Sequence, residues 1–271
     1  MIDGDGLNIH PDYLQLACFE LLEEHGCSYR LHSPVTEVVM DGPAVRGVVV
    51  SGKRGREPFM ADVVVDATGD GDVAYQAGAE MVHGREEDGR SMPVSLVFAL
   101  ANADVERFFG FVEGDRVRLN TLLDEAAAEG YAVAAWYSFN RTTVPGVIGV
   151  NNGAWRDIGN IDGTSAAALT LAERAGIQVA VDFVRLARDK QIPGLEECFL
   201  MRAGAHVGVR DTRRIVGEYV VTVEDARAGA EFEDVVARKY GAIDANQLFI
   251  GEMVSGFAYP YRSLLPKRIE N

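Results

Sequence analysis

Two stretches of the chain concentrate residues whose types and spacing could do chemistry. The first is VVVDATGDGDVA, residues 63–74. Its Val-Val-Val run suits a strand buried on both faces, and it ends in the small residues Ala67, Thr68 and Gly69. Small residues at the C-terminal edge of a strand let a nucleotide approach the backbone closely. Free N–H groups at the turn and at a helix opening near Asp72 favour phosphate. Read literally, Gly69-x-Gly71-x-x-Ala74 also fits the GxGxxA pattern of dinucleotide-binding turns. Glu86, Glu87 or Asp88 could then be the acidic residue expected about 20 positions on. An NAD-dependent dehydrogenase is one reading of that fit, and an ordinary strand-to-helix turn is another. The preceding predicted strands are joined by turns too tight for parallel crossovers, which weighs against the NAD reading.

The second stretch is basic. Arg202, Arg210, Arg213 and Arg214 fall within thirteen residues, with His206 among them. A guanidinium could hold a substrate carboxylate through a bidentate pair, or the group could be surface ion pairs of small energetic value. His206 is a candidate proton donor or a hydrogen-bonded structural histidine. The other histidines have no metal-ligand spacing, and no metal is expected.

The elements that must position these residues are legible in outline. Leu14, Ala17, Cys18, Leu21 and Leu22 have helical spacing, with Pro11 before them and Gly26 after. Strands are predicted at 27–31, 35–40, 44–50 and 59–68, followed by a short helix from Asp72 to about Gly78. Helical patches lie at 104–111 and 119–129. A long helix is predicted from an N-cap at Thr164 to about Lys190, stopped by Ile192-Pro193-Gly194. Strands follow at about 197–202 and 214–222. Thr222-x-x-Asp225 has the form of a capping box that opens another helix. The last twenty residues are aromatic and extended, around Tyr259-Pro260-Tyr261-Arg262. Phe257, Tyr259 and Tyr261 could shield a ligand or simply pack.

Composition narrows the function classes. The chain has 271 residues, 48% of them hydrophobic and 25% charged, which is a globular profile. Its net charge of −15 argues against nucleic acid as a partner, because such binders neutralise phosphates with Lys and Arg. It also argues against docking on anionic membrane. No run of about 18 apolar residues suggests a membrane span. The N-terminus lacks the positive charge and apolar core of a signal peptide, so a cytoplasmic location is expected. Three cysteines, Cys18, Cys27 and Cys198, fit neither a disulfide framework nor a zinc or iron–sulfur site.

Strand, ATGDGD turn and the following Ala77-Gly78-Ala79 resemble the second flavin-contacting segment of FAD-dependent oxidoreductases of the glutathione-reductase-like fold. More narrowly, the chain resembles relatives of the flavin subunit of heterodisulfide reductase. Gly208–Tyr219 (GVRDTRRIVGEY) is similar to the Arg-rich segment of that group, and Tyr259–Lys267 (YPYRSLLPK) to the segment leading back into the flavin domain. The early helix and the 35–50 hairpin resemble its β-meander. The resemblance implies FAD as cofactor, with Val35 near the adenine side and Ala67, Thr68 and Gly69 lining adenosine and pyrophosphate. Asp70 and Asp72 would accept a ribityl or ribose hydroxyl, or merely complement the helix dipole. Arg210 or Arg213 would stabilise the charge of reduced flavin or hold substrate. Some relatives carry an iron–sulfur cluster, for which this chain has no cysteine set.

The expected fold is α/β: an incomplete, Rossmann-like FAD-binding domain (residues 1–90, with 251–271 returning to it) and an α+β substrate or cap domain (residues 91–250). The family's opening strand, GxGxxG turn and helix, and its closing flavin segment, are not found in this sequence. The strand ending at Thr68 is therefore expected to lack parallel neighbours and to leave an exposed apolar edge. The expected activity is hydride transfer between a small organic substrate and flavin. The alternative is a non-catalytic module, or half of a split flavoprotein, that needs a partner chain to bind FAD; a homo-oligomer is a further option.

Overall fold

The computed structural model describes residues 9–155, 158–245 and 248–270, with side chains for all of these but 241–255. The chain divides into two compact units, residues 1–29 with 93–210, and residues 30–92 with 211–271.

Helix α1 (Pro11–Glu24) forms where the leucine spacing predicts it, with Pro11 in its first turn. The strand expected at 27–31 does not form. Tyr29 instead stacks on Phe19 of α1 at 5.3 Å and donates a hydrogen bond to Glu23 at 2.8 Å, so the segment folds back on the helix. Strands β1 (Val35–Asp41), β2 (Ala44–Gly52) and β3 (Gly55–Met60) then make the expected antiparallel meander. Both turns are two residues long, which fixes antiparallel pairing. Glu270 ties the far end of the chain to this sheet: Val45 N–H donates to its carbonyl at 2.8 Å.

The buried strand expected at 59–68 is the main correction. β3 ends at Met60, and residues 61–68 join no sheet among the described residues. Val63 and Val65 are 64% and 83% exposed. A strand of this composition needs neighbours on both sides. Among the described residues no strand lies alongside, and the chain curls into a turn held by Asp66. The short helix α2 (Asp72–Gln76) follows, then β4 (Met81–His83).

Residues 93–210 build a sheet-and-helix unit. Its elements are β5 (Phe98–Ala101), α3 (Val105–Gly114), α4 (Arg116–Ala128), β6 (Ala134–Arg141), β7 (Ile148–Trp155), α5 (Ala166–Asp189) and β8 (Phe199–Ala203). The four strands form one antiparallel sheet in the order β6-β7-β5-β8. Asp104 and Asp115 cap α3 and α4 by accepting N–H bonds at 3.1 and 3.0 Å. Ser165, not Thr164, caps α5; the Thr164 hydroxyl donates to Asp162 instead. α5 lies on the sheet, where Phe183 meets the rings of Phe98 and Tyr137 at 5.8 and 5.0 Å. At Gly176 the helix comes so close that a Cβ would stand 2.7 Å from Leu96 and Trp155.

The remaining elements return to the first meander's unit. β9 (Arg213–Ile215) pairs antiparallel with β4. The strand expected at 214–222 is thus much shorter. Beyond it the backbone runs beside the Tyr259–Lys267 segment, through a bridge between Gly217 and Pro266 and a Glu218 N–H bond to Leu265 at 2.9 Å. The capping box forms as read: Thr222 and Asp225 cap α6 (Val223–Ala228) reciprocally. β10 (Val235–Ala245) and β11 (Leu248–Pro260) make a long hairpin whose first arm the sequence did not announce.

Candidate cofactor-binding site

The ATGDGD loop is held by one carboxylate that precedes it. Asp66 accepts the Thr68 N–H at 3.0 Å, the Thr68 hydroxyl at 2.8 Å and the Ala74 N–H at 2.9 Å. The Thr68 hydroxyl oxygen in turn accepts the Asp72 N–H at 3.0 Å. Burial alone would raise the Asp66 carboxyl pKa. The bonds from Ala74, Thr68 and Val73 outweigh it and hold the group below the usual carboxylate range.

These bonds satisfy the start of α2 and leave the middle of the loop bare. The N–H groups of Gly69, Asp70 and Gly71 find no hydrogen-bond partner among the described residues. Gly69 and Gly71 have φ of +86° and +63°, which disfavours any side chain there. A Cβ on Gly69 would meet nothing within 4 Å, so the space beside it is open. Successive unpaired N–H groups in such a turn suit anionic or hydroxyl oxygen.

The loop's own carboxylates are engaged elsewhere. The Thr212 hydroxyl, on a residue only 1% exposed, donates to Asp70 at 2.6 Å. Arg213 donates to Asp72, and its guanidinium lies 4.3 Å from the centre of the Tyr75 ring. The β4–β9 ladder sets this position by pairing His83 with Arg213. Arg213 Nε is buried without a partner among the described residues. Arg214 is structural: it binds Asp211 at 2.9 Å and the Gly84 carbonyl at 2.6 Å. Asp211 also accepts the Met92 N–H at 2.6 Å.

The structure therefore gathers Thr68, Gly69, Asp70, Asp72 and Arg213 into one place. Ala67 is exposed on the same loop. Val35 opens β1, a strand that lies beside α2 in the same unit. Arg202, His206 and Arg210 belong to the other compact unit. His206 is exposed there, with Nδ1 3.7 Å from a Glu173 oxygen. Sequence reasoning missed Asp66, Thr212 and Tyr75. The Asp-x-Thr spacing before the glycines was a usable signal for Asp66, whereas nothing in the sequence pointed to Thr212 or Tyr75.

A family model of FAD dependent oxidoreductases matches residues 3–271. The chain belongs to the FAD dependent oxidoreductase family. FAD is the cofactor of this family, and the expected α/β FAD-binding class stands. Among solved structures, the chain is similar to a triple mutant of the flavin-dependent brominase Bmp2. The two are 14% identical over 76% of this chain and 45% of the brominase chain, with a TM-score of 0.42. The chain thus spans less than half the length of that flavoprotein. No protein of curated function matches it in sequence. Among the described residues no helix is long and apolar enough to cross a membrane.

The residues present fit a cofactor rich in phosphate and hydroxyl oxygens. The loop offers three unpaired N–H donors, and Arg213 offsets the charge of the nearest carboxylate. An NAD-type turn would need a parallel βαβ unit around Gly69–Ala74. Among the described residues every pairing between two strands is antiparallel, and the one parallel bridge joins Ala44 to Glu270, not to the loop.

Proposed function

We propose that this chain works as a flavin-dependent oxidoreductase that moves a hydride between a small organic substrate and FAD, with the loop from Ala67 to Asp72 as its cofactor contact. The observation that carries this reading is the set of unpaired N–H groups at Gly69, Asp70 and Gly71, on a loop already fixed by Asp66. In this reading the N–H groups receive phosphate or ribose oxygens. Ala67 and Thr68 keep the approach narrow, and Val35 lies toward the adenine end. Asp70 and Asp72 accept hydroxyl hydrogens from their exposed sides. Their pairing with Thr212 and Arg213 reduces the repulsion a pyrophosphate would meet. FAD supplies the two-electron chemistry when bound.

Arg213 places a guanidinium beside the loop, bonded to Asp72. Arg210 is the proposed anchor for a substrate carboxylate and His206 the proposed proton donor. The His206 Nδ1 lies 3.7 Å from a Glu173 oxygen. The cofactor half is proposed to be the unit of residues 30–92 and 211–271, and the substrate half the unit that holds 93–210.

Titration of the purified chain with FAD tests this, with flavin fluorescence and thermal stability followed together. Saturable binding with a rise in Tm supports it; no binding by a folded chain removes it. A second reading rests on Val63 and Val65, both exposed: binding of FAD requires a further chain to cover them. FAD binding that appears only with a co-purified partner favours that reading.

A further inference from the structure

A cleft of about 220 Å³ opens on the sheet-and-helix unit, between the N-terminal half of α5 and the adjoining ends of β6 and β7. Its floor is apolar and nearly sealed, made by Val133, Trp155 and Val179. Its rim is Leu171, Arg174 and Gln178, which recur at i, i+3 and i+7 and so share one side of α5. The cleft is fixed by its neighbours. The Trp155 indole N–H is tied to the buried Asn152 at 2.6 Å, and Gly176 lets α5 close onto that ring. Leu171 remains 49% exposed at the mouth.

Arg174 sets the chemistry. The chain has 41 acidic against 26 basic side chains, so an arginine has carboxylates in excess to choose from. Among the described residues Arg174 nevertheless makes no ion pair or hydrogen bond, and it stands over an apolar floor beside the amide of Gln178. An apolar concavity with a few convergent polar groups is the general form of a small-molecule site, and this one is of a size for a small ligand only. A guanidinium at its mouth selects a planar anion that it can grip with two N–H groups.

We propose that this cleft binds a small monocarboxylate with an aromatic or branched aliphatic body. The body lies against Trp155, Val133 and Val179, and the carboxylate rests on Arg174 with Gln178 as a second donor. The site is independent of the FAD reading, since all its residues lie in the unit that holds 93–210.

The test uses the full chain with Trp136→Phe, so that Trp155 is the one tryptophan reporting. It is titrated without FAD with 3-phenylpropanoate, with 4-methylpentanoate, and with the neutral 3-phenylpropanamide. Saturable change with a carboxylate is expected, with the amide about tenfold weaker, the scale of one charge-assisted hydrogen bond. Arg174→Gln should abolish the preference, Arg174→Lys should keep part of it, and Ala175→Leu should fill the cleft and remove binding. Thermal melts confirm that each variant is folded. Equal binding of acid and amide, unchanged binding by Arg174→Gln, or no saturable change with either carboxylate overturns the proposal. So does sedimentation showing a dimer that Ala175→Leu converts to monomer, which would assign the cleft to a second copy of the chain. FAD affinity should be the same in all variants.

Discussion

Arg213 and Asp72, 141 residues apart in sequence, are joined as an ion pair across the β4–β9 side of the candidate cofactor site. The Arg213 side chain is 17% exposed, and its guanidinium lies over the Tyr75 ring at 4.3 Å. The pair does two jobs for the loop. It anchors the first turn of α2, and it keeps an uncompensated carboxylate away from the place where phosphate oxygens are proposed to sit.

That arrangement predicts a sign pattern in a mutant cycle. Arg213→Leu should weaken FAD binding by about tenfold or more, because it both removes a cation and leaves Asp72 unpaired. Asp72→Asn alone should cost less. The double variant should recover part of the loss of Arg213→Leu. Purely additive losses in FAD titrations would mean that the pair does not act on the cofactor.

Asp66 predicts an acid sensitivity. Its carboxyl titrates below the usual range in the folded chain. Its contribution is therefore complete above the unfolded value near pH 4 and is lost as pH falls through the lower folded value. Asp66→Asn should lower stability by about 1–2 kcal/mol at pH 7, a figure reduced for its partial exposure. The Tm gap between wild type and variant should narrow below about pH 4. A gap independent of pH would detach the loop's order from this carboxylate.

Val63 and Val65 give a test of the corrected strand. Val63→Ser with Val65→Ser should change the stability of the isolated chain by less than about 0.5 kcal/mol, as at ordinary surface sites. A loss of several kcal/mol in denaturant unfolding would mean that these valines are buried in solution. The same variant should lose association with any partner that covers them.

The cysteines should divide by environment. Burial pushes the Cys198 thiol up to about 11, while Cys18 and Cys27 are exposed. Alkylation of the native chain at pH 8 should modify two thiols, with the third reacting only on unfolding. Rapid labelling of Cys198 would show that the core around it opens readily.

Local signals read well from sequence here, and partner-dependent ones did not. The Thr222–Asp225 box formed as expected, because such a cap needs only residues three apart. The triple valine failed as a strand signal because β-propensity reports fitness for a sheet, not the presence of one. β10 escaped notice because Arg238, Lys239 and Asp244 interrupt its apolar positions, so it lacks the alternation of a half-buried strand. The basic cluster was legible as charge. Its division between two units, with Arg210 in one and Arg213 in the other, depends on long-range contacts that spacing does not encode.

The candidate cofactor loop sits in a unit assembled from two separated stretches of chain, 30–92 and 211–271. During synthesis the loop and its Asp66 bonds emerge early, within one short stretch. Thr212 and Arg213 follow only after the whole of 93–210 has been made, and Glu270 meets Val45 later still. The order of translation therefore separates shaping the loop from locking it. Closing so long an intervening segment adds little to the equilibrium cost, since the entropy of closure grows only with the logarithm of length. It does delay completion of the unit, as non-local contacts slow folding. A nascent chain stopped before residue 211 should hold a formed turn at Asp66 and no ion pair at Asp72.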